Sequence, residues 1–339
     1  MAPGPWIPPR RGTALGLVVL GVVGLLVRGV GCGGAGAPGL RGPRLALVMK
    51  TPNNPFFIDM QRGADEAARR LGVELTVQAP EREIDVEKQM QIVENLIETG
   101  VRALLIAPAS SKGIVPALAK ANAARIPIVV LDDEVDREAA AEAGVHTEGY
   151  VGSDNVEGGR LAGRYLVEAS GGRAMVAILE GIPGHETGDS RLRGFREAVA
   201  AAPGVKVVVS QTANWERDQG YSVFQNMLQA HPEIDSVFAC NDMMALGATE
   251  AIAAASRTRP IRVIGFDAVD DARKAIAEGT MAASIAQFPS EMGRLAVETA
   301  VKLIHGERVP ADQRTKIGLV TRETLGASSA PQERAHPRP

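Results

Sequence analysis

From Arg44 onward, short apolar runs alternate with longer amphipathic ones. "RLALVMK", "VELTVQA", "ALLIAP" and "PIVVLD" are separated by stretches such as "FFIDMQRGADEAARRLG" and "DVEKQMQIVENLIETG", whose apolar positions recur at helical spacing. After "YVGSD" the rhythm restarts with "MVAILEG", "KVVVSQ", "SVFACND", "IRVIGFD" and "AASIAQ", each followed by a helical stretch. Buried strands alternating with helices read as βα units around a parallel sheet. Two successive blocks predict an α/β chain of two similar Rossmann-like lobes. A length of 339 residues suits about two domains.

Polar residues gather where the predicted strands end: Asn53 and Asn54, Asp132 and Asp133, Asn241 and Asp242, Asp267, and Gln287. Any one of them could simply cap the following helix. Five such positions spread over both halves are better explained by a polar cleft, because ligands of open α/β sheets bind outside the carboxyl ends of the strands.

Composition narrows the chemistry. Net charge is -3 and no long basic block occurs, so nucleic acid is a poor partner. Aromatic residues make up only 4% of the chain, which gives weight to Phe56 and Phe57 in "TPNNPFFIDM" and to Trp215 in "ANWERDQG". Trp215 has a second reading, as a staple packing on its own lobe at a helix start. Arg191, in "GDSRLRGFREAV", is read as opening a helix, where a cation opposes the helix dipole and calls for a compensating acceptor. Carboxylates, amides and a guanidinium satisfy hydroxyls that both donate and accept, while flat rings pack on C–H faces. A polyhydroxylated ligand fits that set.

The N-terminal segment has the layout of an export signal: Arg10 and Arg11, an apolar stretch from Thr13 to Val27, and small residues before Cys32. The apolar stretch is short for a membrane span, which needs about 20 residues, although an uncleaved anchor is the alternative. Residues 1–31 are therefore expected to be a signal peptide, and 32–43, rich in glycine, a flexible tether. "GVGC" resembles a bacterial lipoprotein processing site, with Cys32 as the lipidated residue. The second cysteine, Cys240, is expected to be a small buried residue, leaving no disulfide. Residues 327–339 are expected to form a disordered tail.

"NNPFF", "GSDNVEGGRLAG", "RLRGFREAV", "FACNDMMALGA", "VIGFDAVDD" and "AASIAQFPSEMG", in this order, resemble the periplasmic sugar-binding proteins of bacterial ABC importers, specifically the ribose-binding type. The likeness runs from about Arg44 to Leu325. It implies a type I periplasmic-binding-protein fold with three crossings between lobes, near 152–154, 287–289 and 316–318. The N-terminal lobe would comprise 44–153 plus 288–316, and the C-terminal lobe 154–287 plus 317–326. It also implies sugar contacts from Asn54, Phe56, Phe57, Asp132, Arg191, Trp215, Asn241, Asp267 and Gln287, and delivery of the sugar to a membrane permease by a monomer. Two departures stand out. Asp133 occupies a position where ribose binders carry arginine, and Ala107 one where they carry asparagine. Exchanging a five-donor fork for an acceptor points away from ribose, towards another monosaccharide, a polyol, or an amino-bearing sugar paired by Asp132 and Asp133. Asp133 could alternatively turn to solvent.

Rival classes fare worse. No nucleophile–base pair or phosphate loop stands out, and "GGRLAG" (Gly158 to Gly163) is not a dinucleotide fingerprint. The histidines at 146, 185, 231, 305 and 336 lack ligand spacing, so neither metal nor cofactor is expected. A transcriptional repressor of the same fold would begin with a helix-turn-helix rather than an export signal. A sugar sensor docking on a chemoreceptor or sensor kinase remains the alternative to uptake.

Overall fold

The computed structural model describes residues 42–255 and 259–328, together with residue 4. The expected signal peptide apart from residue 4, the lipidation site at Cys32 and nearly all of the expected tether and tail lie outside them.

The first lobe is built from β1 (Arg44–Val48), α1 (Pro55–Leu71), β2 (Glu74–Gln78), α2 (Val86–Glu98), β3 (Ala103–Ile106), α3 (Val115–Ala123), β4 (Ile128–Leu131), α4 (Arg137–Glu142) and β5 (Gly149–Ser153). The second contains α5 (Asn155–Ala169), β6 (Arg173–Glu180), α6 (Glu186–Ala200), β7 (Gly204–Thr212), α7 (Arg217–Ala230), β8 (Ser236–Ala239), α8 (Asp242–Ala254), β9 (Arg262–Asp267), α9 (Asp270–Glu278) and β10 (Ala283–Ala286). The chain then returns to the first lobe with α10 (Pro289–Ile304) and β11 (Asp312–Thr315), and ends in the second with β12 (Gly318–Thr321) and α11 (Arg322–Ser328). The strand orders are β11-β5-β4-β3-β1-β2 and β12-β10-β9-β8-β6-β7. Every pairing is parallel except β10 with β12. The chain passes between sheets after β5, after β10 and after β11.

Why these sheets are two-faced is visible in β1, β3 and β4. Leu45, Leu47, Ala103, Leu105, Val129 and Leu131 join α1 and α10 in one core. Their alternates Ala46, Val48, Leu104, Ile106, Ile128 and Val130 join the opposite core with α2 and α3. A strand buried on both faces reads as a continuous apolar run, because successive side chains point to opposite sides.

Helix α1 has conventional ends. Asn54 caps it by accepting from the Phe56 N–H at 3.0 Å, Pro55 occupies the first turn, and Gly72 closes it in the left-handed region at φ 68°. One expected boundary is different. Helix α6 starts at Glu186, five residues before Arg191, so Arg191 sits in its second turn rather than at its opening. The segment "HETGDS" carries no strong apolar period, so packing against the other lobe decides where the helix begins.

Helices α1 and α10 cross with backbones almost in contact. A Cβ on Gly63 would lie 1.8 Å from the Ser290 carbonyl oxygen, and one on Gly293 2.0 Å from that of Met60. In an open helix, Gly→Ala stabilises by about 1 kcal/mol. Here Gly293→Ala is expected to destabilise by about 1–3 kcal/mol, because the crossing must open. Chemical denaturation reads the sign directly, and a stabilised variant would contradict the close crossing.

Candidate functional site

The carboxyl ends of both sheets turn towards one another. The narrow cleft between them is lined by Lys50, Asn54, Phe56, Phe57, Glu83, Asp132, Thr187, Arg191, Trp215, Asn241, Asp267 and Gln287. Nine of the ten residues expected to contact ligand are therefore brought together here.

In the first lobe, Asn54 uses both ends of its amide. Its oxygen caps α1, and its Nδ2 donates to Glu83 Oε1 at 3.2 Å. Phe56 and Phe57 pack edge to face, with centroids 5.2 Å apart. Both belong to the core under α1 and also line the cleft, so they serve both purposes. At the end of β1, Lys50 Nζ lies 2.9 Å from Asp132 Oδ2 and 3.3 Å from Asp133 Oδ2. Burial works against its charge, but Asp132 and Asp133 together hold its pKa above the ordinary lysine value.

In the second lobe, Arg191 is fixed by three groups. Its Nε donates to Asn155 Oδ1 at 2.9 Å, one Nη donates to the Cys240 carbonyl at 2.7 Å, and its plane lies 3.8 Å from the Phe266 ring centroid. Asp267 Oδ1 is 3.7 Å from the same guanidinium and accepts from Gln287 Nε2 at 2.8 Å. Trp215 fits against Gly181 and Gly188, where Cβ atoms would fall 2.0 and 3.1 Å from its ring. Its indole N–H donates to His185 Nδ1 at 3.4 Å. Asn241 caps α8 through its oxygen and donates from Nδ2 to the Trp215 carbonyl at 3.0 Å.

Three cleft residues hold left-handed backbones without being glycine: Asp132 at φ 61°, Trp215 at φ 68° and Asp267 at φ 110°. Such conformations cost on the order of 1–3 kcal/mol each and persist only where surrounding contacts impose them.

Asp133 departs from expectation. It is fully buried and absent from the cleft lining. At the left-handed turn of Asp132 the two carboxylates share Lys50 but part beyond it: Asp132 also lines the cleft, while Asp133 also meets Ser111 and the Thr187 N–H. It does not face solvent, and its carboxylate is taken up by protein groups. Arg191 likewise finds its acceptors in the protein. Lys50, Glu83, Thr187 and His185 were not singled out from sequence. Lys50 was legible as a cation directly ending an apolar strand run, whereas Glu83 lies in a loop with no period to place it.

The buried acids carry the electrostatic signature of the cleft. Burial raises Glu83 to about 7, although Lys50 and Asn54 oppose the shift. Burial likewise raises Asp267 to about 7 against Arg191 and Gln287. Behind it, burial and Asp267 push Asp242 well above the carboxylate range. Burial depresses His185 to about 4, so its ring is neutral at pH 7. Gln287 Oε1 is buried without a hydrogen-bond partner. Among the described residues, no group of acids, histidines and cysteines could hold a metal ion.

A family model described as periplasmic binding protein domain matches residues 45–308. The chain belongs to the periplasmic binding protein family. This periplasmic binding protein is 38% identical over 279 residues to the ribose import binding protein RbsB of Escherichia coli, covering 82% of this chain and 90% of that one. It is 35% identical over 279 residues to the D-allose-binding periplasmic protein of the same organism, with 81% and 89% covered. A crystal structure of an ABC transporter periplasmic solute binding protein from Actinobacillus succinogenes with bound D-allose superposes with a TM-score of 0.79 at 38% identity, over 84% of this chain and 99% of that one.

The raised pKa of Glu83 has a stability consequence. Unfolded, it titrates near 4.5; folded, near 7, so the native state holds the proton longer. Its contribution to stability is complete below about pH 4.5 and is lost as pH rises towards 7. In ligand-free protein, Glu83→Gln is expected to gain on the order of 1–3 kcal/mol relative to wild type between pH 4.5 and 7.5, then level off. Urea titrations across that range measure the difference; a flat difference would place the Glu83 titration at its ordinary value.

Proposed function

We propose that this periplasmic binding protein is the extracytoplasmic substrate-binding component of an ABC sugar importer. It binds a monosaccharide or related polyol between its lobes and presents it to a membrane permease. The observation that carries this reading is the cleft itself. It combines carboxyl groups from both lobes, a fixed guanidinium, aromatic faces, and in Gln287 a buried acceptor oxygen still lacking a donor. A sugar hydroxyl supplies that donor, and hydrogen bonds to charged partners contribute about 1.5–3 kcal/mol each. The ring faces of Phe56, Phe57 and Trp215 suit the C–H faces of a pyranose or furanose.

Ligand contacts are assigned to Asn54, Phe56, Phe57, Asp132, Arg191, Trp215, Asn241, Asp267 and Gln287, with Lys50 and Glu83 added. The similarity to ribose and D-allose binders supports the monosaccharide class. Lobe closure about the three inter-sheet connections would trap the sugar, since ligand contacts from both walls favour the closed form. The family is one of binding rather than catalysis, and nothing in the cleft pairs a nucleophile with a base. The expected export signal and Cys32 support a place outside the cytoplasm with a lipid anchor at the membrane, and the family resemblance supports a monomer.

A thermal-shift panel of D-ribose, D-allose, other pentoses and hexoses, polyols and amino sugars tests the ligand class. A cognate sugar at a hundredfold excess over its dissociation constant stabilises by about 2.7 kcal/mol. Arg191→Lys is expected to weaken that sugar by about tenfold or more, because Lys cannot reproduce the fixed fork. A panel without any response would refute the sugar assignment.

A further inference from the structure

Helix α6 is capped from across the cleft. Helices α1, α4, α5 and α8 each take a cap from their own preceding residue: Asn54, Asp136, Asp154 and Asn241 accept from an N–H of the first turn. The residue before α6, His185, makes no such bond. Its first-turn amides are satisfied by the opposite lobe instead. Ser111 Oγ, in the β3–α3 loop, accepts from the Glu186 N–H at 3.3 Å. Asp133 Oδ1, in the β4–α4 loop, accepts from the Thr187 N–H at 3.1 Å. The Asp132 carbonyl accepts from Thr187 Oγ1 at 3.4 Å.

We propose that Asp133 is a positioning residue for lobe closure, capping helix α6 in trans across the cleft. A carboxylate at the N-terminus of a 15-residue helix gains from its dipole as well as from the hydrogen bond. Asp133 keeps Lys50 and Ser111 as partners within its own lobe, so it is pre-oriented when the lobes part. The α6 amides have no such local partner and must turn to water. Closing therefore completes a helix cap that opening leaves undone. The acidic residue that stands in the cleft region without touching ligand space is explained: it stabilises the closed form directly, whether or not a ligand is present. One consequence rests on the sugar-binding reading above, namely slower ligand release, because the latch must break before the cleft opens. The latch itself does not rest on it.

The test uses the full chain without ligand, so that it is independent of the sugar panel. Hydrogen exchange over residues 184–190 is compared in wild type, Asp133→Ala and Asp133→Asn, with solution scattering on the same samples. Asp133→Ala is expected to exchange there about tenfold faster, the scale of one lost cap, and to expand in scattering. Asp133→Asn keeps an acceptor oxygen and is expected to stay within about twofold of wild type. If Asn behaves as Ala does, the carboxylate acts only through the charge of Lys50 and the cap is refuted. Unchanged protection in the Ala variant, or a wild type as expanded as that variant, would also refute it. Should Asp133→Ala not fold, Ser111→Ala combined with Thr187→Val removes two cross-lobe bonds and leaves Lys50 paired. Severalfold faster exchange then supports the latch, and wild-type rates overturn it.

Discussion

One buried ammonium organises the whole cleft. Lys50 follows the buried apolar run Leu45–Met49 and has two carboxylates within 3.3 Å, in a position almost without solvent. A lone charge in such a place costs several kcal/mol, and even a paired one is tolerated only with good geometry and further hydrogen bonds. The left-handed turn at Asp132 supplies that geometry by splitting the adjacent acids around a single cation. From this arrangement Asp132 gains its position in the cleft wall, and Asp133 its position at the lobe boundary.

The second lobe solves the same problem differently. Arg191 is held by neutral acceptors and an aromatic face, and Asp267 pairs with it only at the long distance of 3.7 Å. Burial wins over this weaker pairing, so Asp267 stays protonated to higher pH than an ordinary carboxylate. Beside it, the buried Oε1 of Gln287 leaves hydrogen-bonding capacity that the protein itself does not use. The first lobe supplies fixed charge, and the second supplies a fixed donor with adaptable acceptors. Aromatic rings from both lobes close the remaining faces.

The helix pairing behind the cleft explains why these side chains are held so firmly. Glycines at the α1–α10 crossing let the backbones approach until carbonyls fill the space a Cβ would need. Helix α10 returns from the second sheet to do this, so the lobe carrying Asn54, Phe56 and Phe57 is built from two distant pieces of chain. Rigid lobes and a few connecting segments are what a closing motion requires.

Much of this was readable in the order of residues. Strand runs are local and two-faced, so apolar continuity alone indicated the two sheets. Polar residues at their ends indicated a cleft, because the period of burial stops where the strand stops. The Asn54–Pro55 start of α1 was legible from capping chemistry, and the two phenylalanines from their scarcity. What sequence could not decide was direction. Whether Asp133 turned to ligand, solvent or the other lobe depended on one backbone angle at Asp132 and on Thr187, 54 residues away. The start of α6 was illegible for the same reason: its cap comes from the opposite lobe, and no local pattern encodes a partner that only folding brings near. The partnership of Lys50 with both acids likewise spans more than eighty residues. Local periodicity determined the elements and the chemistry available, while long-range packing determined which of those groups line the cleft and which bridge the two lobes.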